Sequence, residues 1–245
     1  MPETEDEYLQ TPAGAAPPEA GAPDENDRSL PLTAALSPGS MGKPGKHKST
    51  GGGRRSGIET QRAFVDVATR LFAEHGYNGT SIADIANELG LTTASLYYHV
   101  TGKQELLLHV LATGMAEFLN RLEEIAAQEI DPREKLRLAI DNHLSFVLSK
   151  KQAVAVFLRE RRFLESPYKE QYQQAVDRYD VLFTEIVSKC MAQGAIPSGD
   201  PTLIRLGILG MINWIVEWYQ PDGRLKEDEI RLAFTGIIVD QMLSL

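Results

Sequence analysis

Few stretches restrict a chain as tightly as Thr80 to Lys103, TSIADIANELGLTTASLYYHVTGK. Ile82, Ile85, Ala86 and Leu89 recur at i, i+3, i+4 and i+7, the spacing that lays four apolar side chains along one stripe of a short helix. Ser81 and Asp84 supply a capping-box-like start for it. Gly90 then ends the helix: a glycine takes the left-handed conformation that a Cβ resists, and the chain turns sharply into Leu91 and a second helix opening at Thr92. In that second helix Leu96 and Val100 face inward. Thr92, Thr93, Ser95, Tyr97, Tyr98 and His99 are left as an exposed row of short polar and aromatic groups. Two short helices, a tight turn and a third helix after Lys103 spell a helix-turn-helix, and such a row suits a DNA groove.

A support helix precedes the motif. From Ile58 onward Phe64, Val67, Ala68, Leu71 and Phe72 keep helical spacing until Gly76, and this face is expected to close a small core over Ile85, Leu89 and Leu96. Downstream, Thr101 is expected to cap the next helix with Gln104 at its third position, and that helix to run unbroken to about Gln128.

The net charge of −9 would argue against a nucleic-acid partner if it were uniform. It is not: residues 1–42 carry −7, residues 43–103 carry +3 and the remainder carries −5. Residues 1–56, rich in Pro, Gly, Ala, Ser and acids and without periodicity, read as a disordered tail. Within it Lys43, Lys46, His47, Lys48, Arg54 and Arg55 are either a basic arm that reaches a minor groove or a solvated linker. Cys190 is the single cysteine, so no internal disulfide is available, and no Cys/His cluster has metal-site spacing. With neither an apolar leader nor a membrane span, the expected location is the cytoplasm, with the bacterial nucleoid. His47, His75, His99, His109 and His143 are scattered, with no triad pattern or phosphate-cradling glycine loop, so neither catalysis nor a cofactor is expected.

The second half reads as all helix, giving an all-α chain in three parts: tail 1–56, helix-turn-helix domain 57–104 and a helical effector and dimerisation domain 105–245. Asp131-Pro132 opens a helix striped with Leu136, Ile140, Leu144, Val147 and Leu148. Further helices are expected from about Gln152 to Leu164 and from about Pro167 to Gln193. Leu203 to Tyr219 is apolar on most faces, yet Arg205, Asn213 and Glu217 interrupt it, which favours a buried or interface helix over a bilayer span. Ile230, Ala233, Phe234, Ile237 and Ile238 stripe the last helix, and Gly207 and Gly210 allow another helix to approach closely.

The run FAEHGYNGTSIADIANELGLTTASLYYHVTGKQELL resembles the DNA-binding domain of the tetracycline-repressor (TetR) family over residues 58–108. The resemblance implies a homodimeric transcriptional regulator, usually a repressor, that binds a pseudo-palindromic duplex and whose second domain takes a small molecule. By position, Thr93, Ala94 and Tyr97 match sites that face bases; Thr92, Ser95, His99 and Lys103 match sites that hold phosphates; Ser81 matches a helix start near the backbone. Three positions depart from the pattern. Ala83 stands where many relatives carry a long polar side chain, Val100 replaces a common phenylalanine and Gly102 a Ser or Asn. The family's dimer is built from its last two helices, where this chain has two suitable faces. An architectural DNA-binding protein and an activator are the rival readings.

More loosely, Ile208–Trp214 and Trp218–Gly223 resemble TetR-type repressors of fatty-acid, sterol or aromatic-acid breakdown that respond to acyl-coenzyme A thioesters. Such a ligand needs an apolar slot and a cationic mouth. Arg159, Arg161 and Arg162 beside Phe157, Leu158 and Phe163 are candidates for the mouth, and Tyr168, Tyr172, Tyr179, Trp214, Trp218 and Tyr219 for the lining. Asn213, an amide in an apolar helix, needs partners. The arginines could instead pair with Glu160, Glu165 or Asp177, and a hydrophobic drug or lipid is the rival effector.

Overall fold

The computed structural model describes residues 57–241 and 243, and every regular element among them is helical. The tail and its basic run lie outside the described residues.

Helix α1 (Gly57–His75) buries Phe64, Ala68, Leu71 and Phe72 and ends at Gly76, whose φ of +74° is the left-handed turn expected of it. The Thr80 hydroxyl, buried, donates to the Gly76 carbonyl at 3.0 Å and so pins the chain between α1 and α2 (Ile82–Glu88). At the start of α2 the Ser81 hydroxyl accepts from the Asp84 amide and the Ser81 amide donates to Asp84, a complete capping box. Gly90, φ +66°, makes the turn, and Thr92 caps α3 (Thr93–Tyr97) by accepting from the Ser95 amide at 3.2 Å. Ile85, Ala86, Leu96 and Val100 are fully or almost fully buried against Phe64 and Phe72, while Leu89 is only partly covered.

The helix after Lys103 does not run unbroken. Residues Lys103–Ala112 form α4 and Met115–Ala127 form α5, separated at Gly114, whose φ of +77° cannot continue a right-handed helix. The cap also differs. Gly102 holds the N-cap without a side-chain bond, and it is Glu105, not Gln104, that accepts from both the amide and the hydroxyl of Thr101, each at 2.6 Å. Gln104 is freed to reach across to the second half of the chain.

Around the central helix α6 (Pro132–Ser149) pack α5, α8 (Tyr168–Ala192), α9 (Pro201–Asn213), α10 (Ile215–Trp218) and α11 (Glu227–Thr235). Helix α7 (Lys151–Glu160), closed by a tight turn at Arg161–Phe163, joins α6 to α8. Asp131 and Asp200 cap α6 and α9, each followed by a proline at the first helical position, where its missing N–H costs nothing. The last stripe is shifted from the expected one. Ile230, Ile238 and Val239 are buried but Ala233 and Ile237 face outward, because the helix widens to a π turn over Gly236–Gln241 and moves the stripe by a residue. Arg231 clamps α11 to α6 through both oxygens of Asp141, at 2.9 and 2.6 Å.

Candidate functional site

Two surfaces carry chemistry. The first is the outer face of α3. Tyr97 and Tyr98 are 54% and 58% exposed, too open for core aromatics, and Thr92 and Ala94 stand exposed beside half-covered Thr93 and Ser95. His99 is half-buried, 5.3 Å from the Phe64 ring, and burial pushes its pKa below the ordinary histidine value. It is therefore a neutral imidazole near pH 7. Lys103, first residue of α4, lays its ammonium 4.0 Å from the Tyr77 ring centroid; burial lowers its pKa, with the Asp84 carboxylate opposing. Ser81 is exposed but committed to its capping box with Asp84.

The second is a cavity of about 330 Å³ in the helical half. Leu111 of α4, Thr113 and Met115 flanking the Gly114 break, Phe118 of α5 and Phe146 and Val147 of α6 line one side; Phe157 and Leu158 of α7, Val176 of α8 and Leu206 and Leu209 of α9 line the other. Its size and mostly apolar wall suit a small organic ligand. Of the residues singled out from sequence, Phe157, Leu158, Arg161, Tyr172, Tyr179 and Asn213 lie in this wall. Arg159, Arg162, Tyr168 and Trp214 do not. Arg159 pairs with Glu217 at 2.7 Å, Arg162 covers the Phe163 ring, Tyr168 shares a 3.2 Å hydrogen bond with Thr101, and Trp214 is 66% exposed on the outer side of α9. Of the three neighbouring arginines Arg159, Arg161 and Arg162, Arg161 reaches the wall, 4.6 Å from the Phe157 ring centroid where α7 tightens.

The polar groups of the wall form two clusters. His143 Nδ1 lies 2.6 Å from the Tyr179 hydroxyl and Nε2 lies 3.0 Å from Asn213 Oδ1. Burial pulls the His143 pKa down to about 4, Asn213 only partly opposing, so the ring is neutral and carries one N–H. Arg205, also buried, meets Asp180 at 2.5 Å, and burial raises the Asp180 pKa against the pull of that arginine. His143 and Arg205 were not singled out from sequence as ligand residues. The available signal was the one that marked Asn213: a polar residue inside an apolar stripe, here between Ile140 and Leu144.

A contact set ties the α1–α3 unit to the cavity's helices. Glu160, at the end of α7, accepts the Tyr77 amide at 2.9 Å; the Tyr77 ring stacks on Phe163; the Gln104 side chain donates to the Phe163 carbonyl and accepts the Glu165 amide.

The comparisons with known proteins reach both halves of the described chain. Residues 64–110 match the family described as bacterial regulatory proteins, tetR family, and residues 129–242 match the tetracyclin repressor-like C-terminal domain. The HTH-type transcriptional repressor KstR2 of Rhodococcus jostii (strain RHA1) is 24% identical, the match covering 78% of this chain and 93% of that protein. The fatty acid metabolism regulator protein of Bacillus subtilis (strain 168) is also 24% identical, over 71% of this chain and 93% of its own. Among solved structures, AibR in complex with isovaleryl coenzyme A and operator DNA is 30% identical with a TM-score of 0.67, covering 74% of this chain and 98% of that one. Regulators of this type are dimeric, and a helix-turn-helix joined to a helical domain with an apolar cavity is what a ligand-responsive repressor requires. The chain belongs to the TetR family of ligand-responsive, DNA-binding transcriptional regulators.

Proposed function

We propose that this regulator represses its operator until an acyl-coenzyme A thioester, its acyl part in the 330 Å³ cavity, releases it. The observation that carries the reading is the cavity itself, an apolar slot whose wall includes Arg161, an arginine not matched by a carboxylate there as Arg205 is by Asp180, in a chain 30% identical to a protein solved with isovaleryl coenzyme A and operator DNA. Arg161 offers planar donors to a phosphate or to the pantetheine arm at the point where the ligand leaves the slot. Arg159 and Arg162, exposed on neighbouring turns, extend the positive field outside it. Residues 57–104 serve as the DNA-reading unit and residues 105–245 as the effector and dimerisation unit.

On the DNA, Thr93, Ala94 and Tyr97 face bases, while Thr92, Ser95, His99 and Lys103 hold phosphates with the free amides at the start of α4. Ser81, tied into its capping box, contributes position and no readout. Release follows from differential affinity: a ligand that moves α7 pulls on Glu160 and Phe163, and through Tyr77 and Gln104 on the reading unit. The relatives are regulators, and we read this chain likewise as a binding protein without catalysis, working in the cytoplasm beside the chromosome. No helix among the described residues is long and apolar enough to cross a membrane.

The test is a titration of the operator complex with free acids, their coenzyme A thioesters and uncharged hydrophobes. Release by thioesters alone is the expected result. Indifference to every thioester while a hydrophobe releases the DNA overturns it.

A further inference from the structure

The cavity's hydrogen-bond ledger points beyond a plain hydrocarbon acyl group. Tyr179 is buried and its hydroxyl has His143 Nδ1 as partner, at 2.6 Å. A buried phenol must donate somewhere, so Nδ1 accepts, and the single ring proton sits on Nε2 and is donated to Asn213 Oδ1 at 3.0 Å. That assignment uses the Asn213 carbonyl and leaves its amino group, two N–H donors, without an acceptor among the described residues. Asn213 is half-buried, so that amino group sits at the cavity's border, while two buried groups of the same wall have no partner among the described residues: the Tyr172 hydroxyl and Arg205 Nε. Elsewhere in the wall the Thr113 hydroxyl is spent on the His109 carbonyl at 2.9 Å. What remains unmet is a set of donors from α8 and α9. Buried donors are rarely left so, and a ligand that supplies oxygens meets the need.

We propose, resting on the reading of the effector as an acyl thioester, that the part of it enclosed in the cavity bears at least one neutral oxygen acceptor besides the thioester carbonyl, making an oxo-acyl thioester the preferred class. Tyr172, Asn213 and Arg205 are its specificity-determining residues. The acceptor is neutral because the Arg205 charge is already matched by Asp180 at 2.5 Å, so a second buried carboxylate would lack a counter-charge. A saturated chain of the same length fills the slot but strands the donors, whereas a ketone oxygen brings two lone pairs to accept from them.

The experiment uses the full-length protein on a duplex recovered by selection from a random pool. Pairs of saturated and oxo-acyl coenzyme A thioesters of equal carbon number are compared by the concentration that half-releases the DNA and by the rise in melting temperature of the free protein. The oxo member is expected to act at about tenfold lower concentration, the effect of one well-placed hydrogen bond. Tyr172→Phe deletes only a hydroxyl that bonds to nothing in the described protein, so the unliganded melting temperature should hold or rise; the gap within each pair should shrink, the oxo member losing potency and the saturated member, which no longer strands that hydroxyl, losing none. Saturated members acting as well as their partners overturn the inference and leave the thioester reading standing. A gap that survives Tyr172→Phe undiminished overturns the role of Tyr172. Should no thioester release DNA or raise the melting temperature, the reading beneath falls and takes the inference with it.

Discussion

His143 is enclosed with Tyr179 and Asn213, and its pKa of about 4 in the folded chain stands below its ordinary 6.5. Between those values the unfolded chain binds the proton and the folded chain does not, so stability rises with pH through that window and falls as pH drops from about 6.5 towards 4. The full effect is on the order of 3 kcal/mol. His143→Gln should flatten that slope, read as melting temperature against pH; an unchanged slope would assign it to other groups. Glu105, held down to about 2 chiefly by His109 and then by Thr101, contributes stability that is lost as pH falls from its ordinary 4.5 towards 2, below most of the His143 window. On the reading face two substitutions divide the roles. Lys103→Ala should weaken binding to all duplexes and lower the slope of log affinity against log salt by about one. Tyr97→Ala should cost about 1–3 kcal/mol on the operator and little on random DNA, and equal losses on both would remove Tyr97 from base readout.

Gly114 and the end of α7 are where an element, more than a residue, sets behaviour. A Cβ at Gly114 would lie 2.9 Å from Phe146 Cε2, in a backbone region that L residues resist by about 1–2 kcal/mol, and Phe146 is itself cavity wall. Gly114→Ala should therefore lower the melting temperature and blunt the effector response together. Glu160→Ala is the complementary test. It removes the acceptor of the Tyr77 amide but touches neither the cavity wall nor α3, so operator affinity and effector affinity measured separately should hold while the effector concentration needed for release rises. Unaltered release curves would exclude this clasp as the route. The break at Gly114 was not foreseen, since a lone glycine in an apolar run is also tolerated inside helices. Only the Phe146 ring and the crossing of α6 beneath it require the turn.

For the whole molecule the dimer decides geometry. Leu203, Leu206 and Trp214 of α9 and Leu232 of α11 are 67%, 52%, 66% and 79% exposed, and Cβ atoms built at Gly207 and Gly210 meet nothing within 4 Å. Such small residues bring no packing benefit within the chain; they allow a second copy's helix to lie close, on a face that a C2 partner repeats. Leu203→Arg with Leu232→Arg should leave the monomer folded and shift sedimentation from dimer to monomer, with operator affinity falling as the second half-site contact is lost. A stable dimer in that variant would place the interface elsewhere. What the sequence determined alone is the helix-turn-helix: its cap, its glycine turn and its apolar stripe are rules among residues a few positions apart, and each holds wherever the helices pack. The cavity is a different matter, because its chemistry joins positions far apart in the chain, His143 to Tyr179 across 36 residues and to Asn213 across 70. Which of the three neighbouring arginines reaches it turns on a detail no periodicity carries: α7 tightens at Arg161, so that side chain enters the wall while Arg159 and Arg162 stay outside. Tertiary packing made that choice, since the apolar faces of helices drawn from the whole second half had to meet before there was an inside for a polar group to face.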